Sequence, residues 1–193
     1  MIIEVNRNPP AVFVNGLRIA TAPPIGELIA VIGTPTRVDS GPTPAPPGFR
    51  NNQQHVFDSL GVHVNEHHHT RRAQANGIAL SVEERRFNFS PTSAFVGTLL
   101  FDGVQMPLRA TEQEFLHAAP WPFKHFIAGM WSCKFDGFYV GIDAIGQKLA
   151  SRRRSKRRMV VDVNISWPHD DWGQPAVVDD PALQRIARTE RSS

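Results

Sequence analysis

The chain has 193 residues, 41% of them hydrophobic, with 21 basic and 18 acidic side chains and a formal net charge of +3. That is enough for one large or two small globular domains, and the charge is too evenly balanced to mark the whole molecule as a dedicated nucleic-acid binder. A single cysteine, Cys133, excludes an internal disulfide, and no apolar run approaches the roughly 18 residues of a membrane-spanning helix. The opening MIIEVNRNPP has no basic segment leading into an apolar one, so it does not read as a signal peptide and a cytoplasmic location is expected.

The first clear element is VFVNGLRI (12–19), three apolar residues, Asn15-Gly16, then an apolar-polar-apolar triplet. An Asn-Gly pair between such segments predicts a two-residue type I′ hairpin, because that turn needs positive φ at both central positions. In TAPPIGELIAVIGTP, Pro23 and Pro24 suit a helix start and Gly33 with Pro35 its stop, while Ile25, Leu28, Ile29 and Ile32 fall on one helical face. The Pro- and Gly-rich SGPTPAPPGFRNNQQ that follows predicts an exposed loop. HVFDSLGVHVNE (55–66) predicts strand, turn and strand, and IALSVEE, from Ile78, a further strand with one buried face.

The same order then recurs. LLFDGVQM (99–106) repeats the hairpin pattern with Asp102-Gly103, and ATEQEFLHAAP carries Thr111 and Glu114 at capping-box spacing, closed by Pro120. Adding 87 takes Asn15 to Asp102, Glu27 to Glu114, Leu28 to Phe115, Ile29 to Leu116 and Ile32 to Ala119; of the four apolar helix positions only Ile25, which becomes Glu112, is lost. WSCKFDGFYVGI (131–142) matches 55–66 when Gly61 is set on Gly137, an offset of 76, and the missing 11 residues are absorbed by the Pro-rich insertion. VVDVNISW (160–167) supplies the closing strand.

The expected fold is therefore α+β: two tandem repeats, 1–90 and 91–170, each a hairpin, a short helix and an antiparallel meander of about three strands. The repeats are expected to form a curved sheet with the helices on one face and Leu28, Ile29, Phe115 and Leu116 beneath it. A tail, 171–193, has a possible helix from Asp180 and Pro181 with Leu183, Ile186 and Ala187 on one face.

Motifs that carry chemistry are sparse. HVNEHHH (63–69) gathers His63, Glu66, His67, His68 and His69. On a strand His67 and His69 share a side and His68 faces away, and neither a His-Glu-x-x-His motif nor a cysteine partner is present. The cluster reads as a polar hairpin end, with metal ligation the competing reading. Cys133 with His125 has the residue types of a thiol nucleophile and its base, but MWSCKF alternates as a strand, which predicts a structural cysteine. There is no Gly-x-Ser-x-Gly, Walker or Gly-x-Gly-x-x-Gly sequence; Glu83-Glu84, Asp170-Asp171 and Asp179-Asp180 are the paired carboxylates, the last two in a loop-like tail. No catalytic residue, cofactor or metal is assigned, and a non-enzyme is expected.

The strongest charge signal is RRRSKRR, six cations in seven residues from Arg152 to Arg158, linking predicted strands 138–145 and 159–167. The equivalent link of the first repeat, HHHTRRAQAN, holds Arg71 and Arg72. Two basic loops in equivalent places would form one patch attracting an acidic protein surface or a phosphate backbone.

GTLLFDGVQM, with IGTPTRV and HVFDSLGVHV, resembles small bacterial domains of the polymorphic-toxin immunity type. In these a helix ending in Gly-x-Pro-x-Arg, here Gly33, Pro35 and Arg37, precedes a strand with a Leu-Gly turn, here Leu60-Gly61. The likeness covers about residues 10–110, and the second repeat has PWPFKHF instead of the Gly-x-Pro-x-Arg element. The tandem plan is also similar to secreted β-lactamase inhibitory proteins, which rely on disulfides this chain cannot form. The resemblance implies a cytoplasmic inhibitor that occludes the active site of a cognate toxin protein, such as one delivered by a type VI secretion system, without a cofactor or membrane attachment. Arg71, Arg72, Arg152, Arg153 and Arg154 would then meet an acidic cleft, with Trp131 and Tyr139 as aromatic anchors beside Phe138. The alternative is a nucleic-acid-binding module using the same arginines.

Overall fold

The computed structural model describes residues 1–40, 53–66, 73–83, 90–127, 129–148 and 154–167, with the side chains of 146–148 and 154–157 left aside. The chain runs β1 (Ile2–Arg7), β2 (Pro10–Val14), β3 (Leu17–Ile19), α1 (Ile25–Ile32), β4 (Arg37–Ser40), β5 (Gln53–Phe57), β6 (Val62–Glu66) and β7 (Ala75–Ser81). It continues with β8 (Thr98–Phe101), β9 (Val104–Gln105), α2 (Glu112–Ala118), β10 (Lys124–Ile127), β11 (Met130–Lys134), β12 (Tyr139–Lys148) and β13 (Arg154–Ser166). The result is a mostly-sheet α+β protein.

Two sheets form. The smaller has the order β3-β2-β1-β8-β9, with β1 antiparallel to β2 and parallel to β8. The larger has the order β10-β11-β12-β13-β7-β6-β5-β4, antiparallel at every step. Its centre is the β7–β13 ladder, from Gly77 opposite Ser166 to Ser81 opposite Asp162. Strand alternation sends Val62, Val64, Ile78, Leu80, Val140, Ile142, Val163 and Ile165 to one face. There they share a single core with Ile3, Val5, Val12, Leu99 and Phe101 of the small sheet and Leu28 and Phe115 of the helices.

Both hairpin turns have the predicted geometry, with φ of 50° and 80° at Asn15-Gly16 and 47° and 77° at Asp102-Gly103. The turn side chains also hold β1: Ile2 N donates to Asn15 Oδ1 at 2.9 Å and Arg7 N to Asp102 Oδ1 at 2.7 Å. Helix α2 has the full capping box, Thr111 and Glu114 exchanging side chain-to-backbone bonds, whereas α1 starts at Pro24 without a side-chain cap. Each helix start is stitched to the large sheet: Ala75 N donates to Pro23 O at 2.8 Å and Val160 N to Ala110 O at 3.1 Å. Of the predicted helix-face residues, Leu28 and Phe115 are fully buried and Ile29 and Leu116 half-buried against the same core.

Several expectations change. Each meander has four strands rather than three, because Arg37–Ser40 and Lys124–Ile127 add an outer strand to each end of the large sheet. The basic run is not a simple link: β13 begins at Arg154, paired with Lys148, so Arg154 is a strand residue. The offset of 76 fits β5 against β11, but the ladders set Val62 and Val140 at matching places, an offset of 78, since the second turn is two residues longer. Strand β1 was not among the predicted elements. Most of the Pro-rich insertion and the proposed tail helix with Leu183, Ile186 and Ala187 lie outside the described residues.

Candidate functional site

The second end of the large sheet carries the most distinctive surface. Strand β10 is its edge, and all four of its residues are exposed. A register shift between His125 and Ile127 throws Phe126 out of the ladder, leaving it 78% exposed. Ile127 pairs with Met130 across the β10–β11 turn, and both are exposed, as is Ile145 on β12. The turn is tight because Gly129, at φ +81°, lets Ala144 N donate to its carbonyl at 2.7 Å; a Cβ there would collide with Ala144 O.

Beyond this turn β12 and β13 continue as a ribbon, with Ile145 opposite Met159, which Thr111 still bridges from the other side, then Gly146 opposite Arg158 and Lys148 opposite Arg154. The ladder of β13 with β7 spans only Asp162 to Ser166, so this part of the ribbon lies past it. From Ala144 to Val161 the sequence has seven cations, Lys148, Arg152, Arg153, Arg154, Lys156, Arg157 and Arg158, and no acidic residue.

The opposite side of β11 is anchored. Trp131 Nε1 donates to Glu112 Oε1 at 2.9 Å, and Arg158 reaches Glu112 Oε2 at 3.5 Å, so one carboxylate at the start of α2 ties helix, β11 and ribbon together. His125 stands edge-on to the Trp131 ring with centroids 4.8 Å apart. Trp131 and Tyr139 are both half-buried, Tyr139 under Lys134 Nζ at 5.6 Å, while Phe138 is in the core. Arg71, Arg72, Arg152 and Arg153 lie outside the described residues, as do His67, His68 and His69. The remaining histidine of that cluster, His63, is half-buried with its Nδ1 enclosed, and burial pushes its pKa down to about 4. Burial pushes the Cys133 thiol up, against a smaller opposing effect of Arg7, away from the thiolate a nucleophile needs.

Two features of the first half have structural roles. Arg37, of the Gly-x-Pro-x-Arg element, bonds both Asp58 oxygens at 3.0 and 2.8 Å, Asp39 at 2.8 Å and Ser90 O at 2.9 Å, fastening β4 to the β5–β6 turn. His55 and Glu66 are buried on the core side with Nε2 and Oε2 3.2 Å apart. A cleft of about 300 Å³ lies between β2–β3 and the β11–β12 turn, lined by Arg18, Thr21, Asp136, Phe138 and Trp167 among others.

Sequence reasoning did not single out Phe126, Ile127, Met130 and Ile145. The available signal was the apolar run around the turn in HFIAGM, but an edge strand and a buried one look alike in such a run. Among the described residues no helix is long and apolar enough to cross a membrane.

No curated protein and no solved structure matches the chain. Residues 3–116, more than half of the 193, match the family described as Domain of unknown function (DUF7738). That stretch includes both hairpins and all but the last two residues of α2. The chain belongs to this family.

Proposed function

We propose that the protein is an inhibitor of the immunity type, binding a cognate toxin protein and blocking its active site, and that its scaffold is an internal duplication. The observation that carries the binding role is the exposed apolar group Phe126, Ile127, Met130 and Ile145 gathered at one sheet corner beside an arginine-rich ribbon. A stable fold gains little from exposing four large apolar side chains together, whereas a protein-binding surface needs them. Arg71, Arg72, Arg152, Arg153 and Arg154 supply candidates for a charged rim, and Trp131 and Tyr139 for anchors at its border.

The duplication is supported by ladder register. With an offset of 85 the β7–β13 ladder maps onto itself about the Ala79–Asn164 pair. The bridge between Pro24 and Gln74 then corresponds to that between Thr111 and Met159. The irregularity between Asn65 and Glu66 corresponds to the one between Asp143 and Ala144. The test of the inhibitor role is growth rescue: the chain is co-expressed with the product of the adjacent gene, which is expected to be toxic alone and harmless with the chain present. A toxic product from which the chain gives no protection overturns the reading.

A further inference from the structure

We propose that the outer corner formed by Ile127, Met130, Ile145 and Met159, with Phe126 at its edge and the cationic β12–β13 ribbon beside it, docks a partner protein through an apolar patch ringed by carboxylates. This rests on the protein-binding reading above and names the chemistry of the partner. Pleat and register place the four residues on the side of the sheet away from the core: Ile127 faces Met130, Met130 faces Asp143, and Ile145 faces Met159.

The first half shows what this corner contains when it is not a docking surface. Ladder matching sets Asp39 against Ile127, both opposite the matched pair Gln54 and Met130, and sets Gln74 against Met159. Three polar positions of one half are thus apolar in the other within the same backbone frame. The folding frame cannot require apolar side chains there, since the first half forms it with Asp and Gln.

The chemistry of the surface separates the possible partners. Aliphatic and thioether side chains at the centre, beside a strand rich in arginine, match the composition of protein–protein interfaces, in which Met and Arg are enriched. Nucleic acid would exploit the cations and offers Phe126 a base to stack on, but it offers little to the four aliphatic and thioether side chains Ile127, Met130, Ile145 and Met159. Between Ala144 and Val161 there is no acidic residue, and the six cations besides Arg158, which Glu112 already holds, call for a carboxylate-rich counterpart, which speeds and orients docking.

The test selects short random displayed peptides on the whole protein and counter-selects on the variant Ile127→Asp/Met130→Gln/Met159→Gln, which carries the first half's residues. Peptides with apolar anchors flanked by Asp or Glu are expected, with affinity falling at least about tenfold in the variant and weakening with salt. Backbone hydrogen exchange on the unmodified protein gives the second readout, with bound peptide expected to protect β10, β11 and the ribbon; it stands even if the variant misfolds. Selected peptides without acidic residues, protection elsewhere, or duplex DNA that binds more tightly than any peptide and displaces it would each overturn the proposal. Toxin protection undiminished by the folded variant would overturn this surface while leaving the inhibitor reading in place. Acidic peptides bound at the corner, with no protection from the adjacent gene's toxic product, would support the surface and remove the inhibitor reading.

Discussion

At matching register the first half buries His55 and Glu66 on the core side, where the second half has Trp131 and Ala144. On the outer side the first half carries Asp39, Gln54 and Gln74 where the second has Ile127, Met130 and Met159. The shared part is the apolar ladder: Val62, Val64, Ile78 and Leu80 correspond to Val140, Ile142, Val163 and Ile165, all buried. A period-two apolar face and two turn types are sufficient to build the frame. Residues off that face are free to differ, and they differ in opposite senses, with polar chemistry taken inward in one half and apolar surface turned outward in the other.

The largest expected effect tests whether the helices are equivalent. Phe115→Ala removes a fully buried ring that meets Phe101 edge-on at 6.1 Å and is expected to cost about 3–5 kcal/mol; Leu28→Ala, at the matching position, about 2–5 kcal/mol. Denaturant midpoints measure both, and a midpoint unmoved by Leu28→Ala would break the correspondence of α1 with α2.

The next test concerns the buried polar pair. Glu66→Ala alone should cost about 3 kcal/mol, because it strands His55 in the core, whereas adding His55→Leu should recover at least about 1 kcal/mol by making the site apolar as in the second half. Strict additivity in the double-mutant cycle would show that the two side chains do not act as a pair.

A pH dependence should follow from His63, whose matching residue in β12 is Gly141. Its folded pKa of about 4 lies below the ordinary 6.5, so the unfolded chain binds the extra proton first as pH falls. Stability from this group is fully present above about pH 6.5 and is lost toward pH 4, by about 3 kcal/mol in total. His63→Val should flatten that part of the stability curve; an unchanged acid limb would remove His63 as its source.

The smallest effects compare the caps. Thr111→Ala should cost about 1 kcal/mol by opening the box with Glu114, and Pro24→Thr should gain about 0.5 kcal/mol, since Glu27 already stands three residues on. Thermal midpoints moving in opposite directions would sharpen the comparison, and a loss from Pro24→Thr would show that the proline's rigidity matters more than the missing cap.

Much of the frame was legible because its signals are local. Asn15-Gly16 and Asp102-Gly103 set positive φ, the 3-and-4 spacing of Ile25, Leu28 and Ile29 sets a helical face, and Thr111 with Glu114 sets a helix start. The outer strands β4 and β10 leave little trace in the sequence because they are four residues long with little alternation, and Arg154 reads as part of a link because a charged run carries no strand period. The candidate corner was less legible still. The basic run stands out, but nothing local in HFIAGM marks Ile127 and Met130 as exposed, because their exposure follows from β10 lying at a sheet edge.

By itself, the sequence determined the turns, the helix faces and the buried sides of most strands, all of which depend on contacts within a few residues. Tertiary structure decided that β7 joins β13, that β1 enters between β2 and β8, and that β10 stands at the end of the large sheet among the described residues. Those pairings close chain segments tens of residues apart, and their choice depends on how whole apolar faces fit together, a property that no local window of sequence contains.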